Sequence, residues 1–193
     1  MECKHKPNII VFLTDQQRWD TVGCYGNPMN LTPNLDEMAQ NGVRIEKCFS
    51  CQPICGPARS CIMTGLYPTI SGCYHNNIPL AEGQKTIAHY LAEAGYKTGY
   101  IGKWHLADTR KEPVPKNRRG GFNDYWLASD ILEFTSQPYG GHLFNDNNEP
   151  VYFNGYRTDA LTDFTINYLK NYSDENPFFL FISYVEPHHQ NDL

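Results

Sequence analysis

Apolar and polar positions recur along this chain with two different periods, and the switches between them mark out its elements. Asn8-Ile9-Ile10-Val11-Phe12-Leu13-Thr14 is a continuous apolar run of strand length. It predicts a strand buried on both faces at the centre of a parallel sheet. Thr32 to Gly42 predicts a short helix with Thr32 as N-cap, Pro33 at the first position and Gly42 as stop. Val43 to Phe49 follows as a predicted strand. Cys55-Gly56-Pro57-Ala58-Arg59 opens another helix, because Pro57 belongs in a first turn, where its missing N–H is one of the donors left free anyway. Thr86 to Ala94 carries apolar residues at 87, 88, 91 and 94 and closes on Gly95. Tyr96 to Ile101 predicts a strand, and Phe178 to Tyr184 a further buried one. Tyr156 to Tyr172 predicts an amphipathic helix with Leu161, Phe164, Thr165, Tyr168 and Leu169 on one face. Asp108 to Pro150 has little periodicity. Its Trp126, Tyr139 and Phe144, with Tyr152 just beyond, are too apolar for a disordered tether, so the reading is loops that rim a site. Strands alternating with helices predict an α/β class: a doubly wound, mostly parallel sheet flanked by helices.

The length of 193 residues suffices for one domain with a substantial core. A net charge of −5 leaves no basic stripe, and Lys116, Arg118 and Arg119 form the only tight basic cluster, so no nucleic-acid partner is expected. No stretch approaches the ~20 apolar residues that a membrane span needs. The first seven residues run straight into the first strand without an apolar leader. The expectation is a cytoplasmic protein with no membrane partner. Seven cysteines, an odd count, argue against a disulfide framework in that compartment. Cys48 and Cys51 have the spacing of a zinc knuckle, but Cys55 and Cys61 lie six apart on one helix and point in different directions, so a zinc site is disfavoured.

Candidate chemistry gathers at element ends. A helix starting at Cys55 puts Cys55 and Arg59 one turn apart on the same side, with free amides and the positive dipole end facing the same volume. That combination suits a tetrahedral oxyanion; a buried structural cysteine beside a surface arginine is the plain alternative. Asp15 and Gln16 end the first strand, where α/β sheets place ligands, and are oxygen donors for a hard cation; Asp15 as a simple cap is the alternative. Lys103 and His105 end another strand, two residues apart, and are expected to project to the same side as a point charge and a titratable donor. Glu186-Pro187-His188-His189 ends the last strand.

Cys55-Gly56-Pro57-Ala58-Arg59 with Met63-Thr64-Gly65, then Gly102-Lys103-Trp104-His105-Leu106 after Ala94-Gly95-Tyr96, resemble the two signatures of the type I sulfatases, members of the alkaline-phosphatase-like superfamily. Thr32-Pro33-Asn34-Leu35-Asp36, Gly121-Phe122-Asn123-Asp124 and Pro187-His188 keep the family order. Gly56 stands where Ser or Cys is common, Leu66 where Arg is frequent, and Gln16 where a second Asp is usual. The resemblance implies sulfate-ester hydrolysis by a formylglycine derived from Cys55, made by a formylglycine-generating maturation enzyme. It implies that Arg59 holds the nucleophile, that Lys103 and His188 (or His189) bind sulfate, and that His105 orients the nucleophile or assists its breakdown. Asp15, Gln16 and residue 55 would ligate Ca²⁺, with Mg²⁺ as the alternative ion. The substrate would be a sulfated small molecule or glycan. A phosphatase or phosphonate hydrolase of the same superfamily, or an inactive anion-binding fragment, are the rival readings.

The resemblance runs from Asn8 to about His189. Family members are considerably longer and supply, farther along, an Asp followed by Asn or His for the metal and a further Lys for sulfate. Residues 1–193 are therefore expected to form an N-terminal sulfatase α/β domain, incomplete at its C-terminus and a poor binder of Ca²⁺.

Overall fold

A computed structural model describes residues 6–189. Six strands, Ile9–Leu13 (β1), Lys97–Lys103 (β2), Tyr125–Ser129 (β3), Tyr139–Phe144 (β4), Pro150–Tyr156 (β5) and Phe178–Ser183 (β6), form one sheet in the order β1-β6-β2-β3-β4-β5. The first four in that order run parallel. β4 and β5 continue the sheet antiparallel. The helices are Pro33–Asn41 (α1), Cys55–Thr64 (α2), Pro68–Ser71 (α3), Ile87–Glu93 (α4), Leu132–Thr135 (α5) and Arg157–Asn171 (α6).

Strand alternation distributes the central strands' side chains to two cores. Phe179 and Phe181 of β6 meet Tyr100 of β2 and Trp126 of β3 on one face, under Met63 of α2 and Ala88 and Leu91 of α4. Phe178, Leu180 and Ile182 meet Ile101 and Leu127 on the other, under Ala160, Leu161 and Tyr168 of α6. Tyr100 anchors the first core: its ring stacks on Phe181 at 5.4 Å and 3°, and on Trp126 at 5.4 Å. At the end of β2, Gly102 (φ 105°) lies so close to β6 that a Cβ would meet Ser183 O at 2.0 Å. Only glycine permits that approach, and it brings Lys103 to the mouth of the sheet.

Helix ends follow their signals. Thr86 caps α4 in a capping box with His89. Gly65 closes α2 in the left-handed region. Thr32 precedes α1 as predicted, but its hydroxyl takes the Gly23 N–H at 2.8 Å instead of capping the helix.

Four expectations are corrected. β1 lies at the sheet edge beside β6, not at the centre, and only alternate residues are covered; Phe12 is 58% exposed. An apolar run reports side chains that need cover and cannot say which side supplies it. Val43 to Phe49 forms no strand, because no described segment offers it a ladder; Val43 is 91% exposed. Instead Tyr25 donates to Ile45 O at 2.7 Å and the Arg44 guanidinium bonds Cys24 O. The stretch from 108 to 150 holds β3, α5 and β4 in place of rim loops: Trp126 and Phe144 are core residues, while Tyr139 and Tyr152 lie exposed on β4 and β5. β3 is a short, unbroken buried run and β4 carries two glycines after Tyr139, so neither shows a period in the sequence. Leu169 also turns out to face solvent.

No helix among the described residues is long and apolar enough to cross a membrane. Met1 to His5, on which the expectation of no leader rests, lie outside the described residues, as does Cys3. The six described cysteines are all free thiols.

Phe181→Ala is expected to lower stability by about 3–5 kcal/mol, as deletion of a buried ring does. Val43→Ala should stay within about 0.5 kcal/mol of the parent, as an exposed change does. Urea denaturation of the two variants checks both; a costly Val43→Ala would restore the missing strand.

Candidate active site

β1, β6 and β2 are neighbouring parallel strands, so their carboxyl ends share one rim of the sheet. The chain leaves β1 into Asp15 and Gln16, ends β2 on Lys103, and leaves β6 toward His188. The N-terminus of α2 lies over the same rim and supplies Cys55 and Arg59. A cleft of about 520 Å³ is lined there by Asp15, Gln16, Cys55, Arg59, Pro53 and Ile62. This is the crevice where open α/β sheets bind ligands.

Asp15 is the hub. Its Oδ2 accepts from Lys103 Nζ at 2.7 Å and from Arg59 Nη2 at 3.1 Å, while Oδ1 faces Cys55 Sγ at 3.8 Å. Burial pushes its carboxyl up, but the charges and hydrogen bonds of Arg59 and Lys103 outweigh that and hold it at about 2. Arg59 is buried and reaches across the rim: Nη1 donates to Lys103 O at 2.9 Å and to Ser183 Oγ at 2.6 Å. Lys103 is buried too, and its ammonium also pairs with Glu133 on α5. Burial raises Glu133, yet Lys103 brings it below the ordinary carboxylate range. Two buried carboxylates thus balance two buried cations.

Cys55 sits at the first position of α2, and burial pushes its thiol up, with Lys103 countering only in part. It is held as a thiol, so the sulfur itself is not an activated nucleophile. The expected cradle of free amides is largely spent: Gly56 N donates to Asn76 Oδ1 at 2.8 Å, Ala58 N to Ile54 O at 2.9 Å, and Pro57 has no N–H. Anion recognition therefore falls to side chains.

His105 follows β2 in a left-handed backbone (φ 57°), so its placement comes from a turn and not from strand alternation. Burial, then the charges of Lys103 and Arg59, push its imidazole down to about 4. Its Nδ1 is buried with no hydrogen-bond partner among the described residues. Asp130 builds the turn: its carboxylate accepts the N–H groups of Ala107, Thr109 and Arg110, and its O takes His105 N at 2.7 Å. His188 lies with Nδ1 3.9 Å from Glu133 Oε1 and 3.1 Å from His189 O. Gln16 lines the cleft with a left-handed backbone (φ 58°), an uncommon state for glutamine.

Every residue anticipated for the site thus lies at this rim. Glu133, Ser183, Asn76 and Asp130 were not anticipated. Asp130, a carboxylate just past a strand, carried a signal that was hidden with its strand; the other three have none, because each acts through a neighbour distant in sequence. Among the described residues, Asp15, Cys55 and His188 bring ligand atoms within 4.8 Å of one another.

The low value at His105 has a consequence for stability. Unfolded, the ring takes a proton near pH 6.5; folded, only near 4. Between these the unfolded chain binds the extra proton, so stability present above 6.5 is lost as pH falls toward 4. The urea midpoint should drop from pH 7 to pH 5, and His105→Gln should flatten that drop. Equal slopes in both proteins would contradict it.

The family model for Sulfatase matches residues 7–192. An ulvan-active sulfatase of Formosa agariphila is 37% identical over 95% of this chain and 36% of its own length. An N-acetylglucosamine-6-O-sulfatase of Bacteroides thetaiotaomicron is 34% identical over 95% and 31%. The solved structure of BT4656 in complex with its substrate, D-glucosamine-2-N,6-O-disulfate, superposes with a TM-score of 0.83 at 31% identity, covering 96% of this chain and 35% of that one. The chain spans about a third of the length of these relatives. Its sheet has the alkaline-phosphatase-like architecture, and the chain belongs to the sulfatase family.

Proposed function

We propose that this chain carries the nucleophile, sulfate-gripping and part of the metal-binding apparatus of a sulfuric ester hydrolase acting on a sulfated carbohydrate. The convergence of Asp15, Cys55, Arg59, Lys103 and His188 at one rim carries the reading. The raised thiol of Cys55 supports conversion by a maturation enzyme, since the unmodified sulfur is protonated where a nucleophile is needed. As a formylglycine hydrate, residue 55 would supply one hydroxyl to attack sulfur and a second whose loss of a proton expels sulfate, a route that serine lacks. Cys55 Sγ marks where those oxygens would stand.

Asp15 and Gln16, with the residue-55 oxygen and His188 nearby, would hold a hard divalent cation, Ca²⁺ or Mg²⁺, which when bound polarises the sulfate as a Lewis acid. Asp15 suits this because its carboxyl is ionised and Oδ1 faces residue 55. Lys103 has one donor left after Asp15 and Glu133, and offers it to a sulfate oxygen. His188, beyond the carboxyl end of the neighbouring parallel strand β6, would approach the anion from the same rim. Three of the five Arg59 N–H groups go to Asp15, Ser183 and Lys103 O, so part of its role is to fix Asp15 and tie α2 to the rim. His105 is neutral at pH 7 and can take a proton from a residue-55 hydroxyl. The carbohydrate substrate is inferred from the relatives, one an ulvan-active enzyme and one solved with a glucosamine disulfate.

Coexpressed with a formylglycine-generating enzyme, Cys55 should appear as the aldehyde, about 18 Da lighter than the thiol in peptide mass spectrometry. Cys55→Ala should show no turnover of an aryl sulfate ester. Preference for a matched aryl phosphate would sink the sulfate reading. Lys103→Ala should raise the barrier by about 2.7–4 kcal/mol, as loss of one oxyanion contact does. Lys116→Ala, far from the rim, should be near neutral; equal losses would misplace the site.

A further inference from the structure

Glu133 belongs to no motif, yet it is buried directly behind Lys103. Its Oε1 pairs with the Lys103 ammonium and lies 3.9 Å from His188 Nδ1. Its Oε2 is buried with no hydrogen-bond partner among the described residues. A carboxylate beside a sulfate-binding site is, by Coulomb's law alone, a handicap to an incoming anion. Its position therefore needs another account.

Lysine supplies one. Its ammonium rides on a flexible four-carbon stem, so an unheld lysine must lose rotamer freedom when it grips an anion. Asp15 is an unreliable holder, since Oδ2 is already shared with Arg59 and the same carboxylate faces the cation position. Glu133 serves no other cation so closely. The geometry points to Glu133 as a positioning residue that fixes the Lys103 ammonium beside Asp15 and lies against the His188 ring, so that the two groups gripping sulfate are set before it arrives. The advantage is preorganisation: the ordering cost is met in folding and not in binding. The inference rests on the sulfatase reading, because it takes Lys103 as a sulfate contact.

Two variants separate reach from charge. Glu133→Gln keeps the acceptor facing Lys103 and removes the charge; its amide NH₂ replaces the unpartnered Oε2. Glu133→Asp keeps the charge and withdraws it by one methylene. Inorganic sulfate titrated calorimetrically into the full chain should bind Glu133→Gln about as well as the parent. Glu133→Asp should bind about fivefold more weakly, and in a Lys103→Ala background the same change should be within about twofold of neutral, the signature of a residue that acts through Lys103. Glu133→Asp at parent affinity, Glu133→Gln as weak as Glu133→Asp, or an undiminished loss in the Lys103→Ala background would each overturn the positioning role alone. A parent chain that binds no sulfate would overturn this role together with the proposed function. A parent that binds sulfate but, once converted, hydrolyses no sulfate ester would overturn only the latter.

Discussion

The ion cluster around Asp15 is the constraint on which the rest of the site depends. One carboxylate oxygen accepts from Lys103 at 2.7 Å and from Arg59 at 3.1 Å, and all three residues are buried. Buried charges are tolerated only when paired and hydrogen-bonded, and removing one partner leaves the others uncompensated. Glu133 brings the balance to two negative and two positive charges. That neutrality lets the cluster exist in the absence of ligand. Asp15, the hub of the cluster, lines the cleft, and its Oδ1 faces Cys55 there.

The cluster is assembled by strand order. Asp15 follows β1, Lys103 ends β2 and Ser183 ends β6, and these three strands lie side by side and parallel. Gly102 permits the tight approach of β2 to β6 that puts Arg59 within reach of both Lys103 O and Ser183 Oγ. The two aromatic and aliphatic cores beneath keep the rim rigid, so the charged groups need little reorganisation when a ligand enters. The turn built by Asp130 delivers His105 to the same rim by a different route.

Apolar groups are left exposed on β1 (Phe12), on α1 (Met38) and along the segment from Val43 to Phe49. The relatives are about three times as long as this chain.

Local chemistry was legible from the residues in order. Cys55-Gly56-Pro57-Ala58-Arg59 set a helix start with its cysteine and arginine one turn apart, because Pro57 and the 3.6-residue period allow little else. Gly102-Lys103-Trp104-His105 and Pro187-His188 marked strand ends for the same kind of reason, and the alternation of strands with α4 and α6 fixed the class. What tertiary structure alone decided was neighbourhood. A run such as Ile9-Ile10-Val11-Phe12-Leu13 states that apolar groups need cover, not whether the strand is central or at an edge. Val43 to Phe49 has strand composition, but a strand exists only where another backbone meets its hydrogen bonds. Glu133 and Ser183 have no distinction in sequence; their roles arise because folding brings them to partners 30 and 124 residues away along the chain. Pairing energy depends on distance through space, which local pattern does not encode.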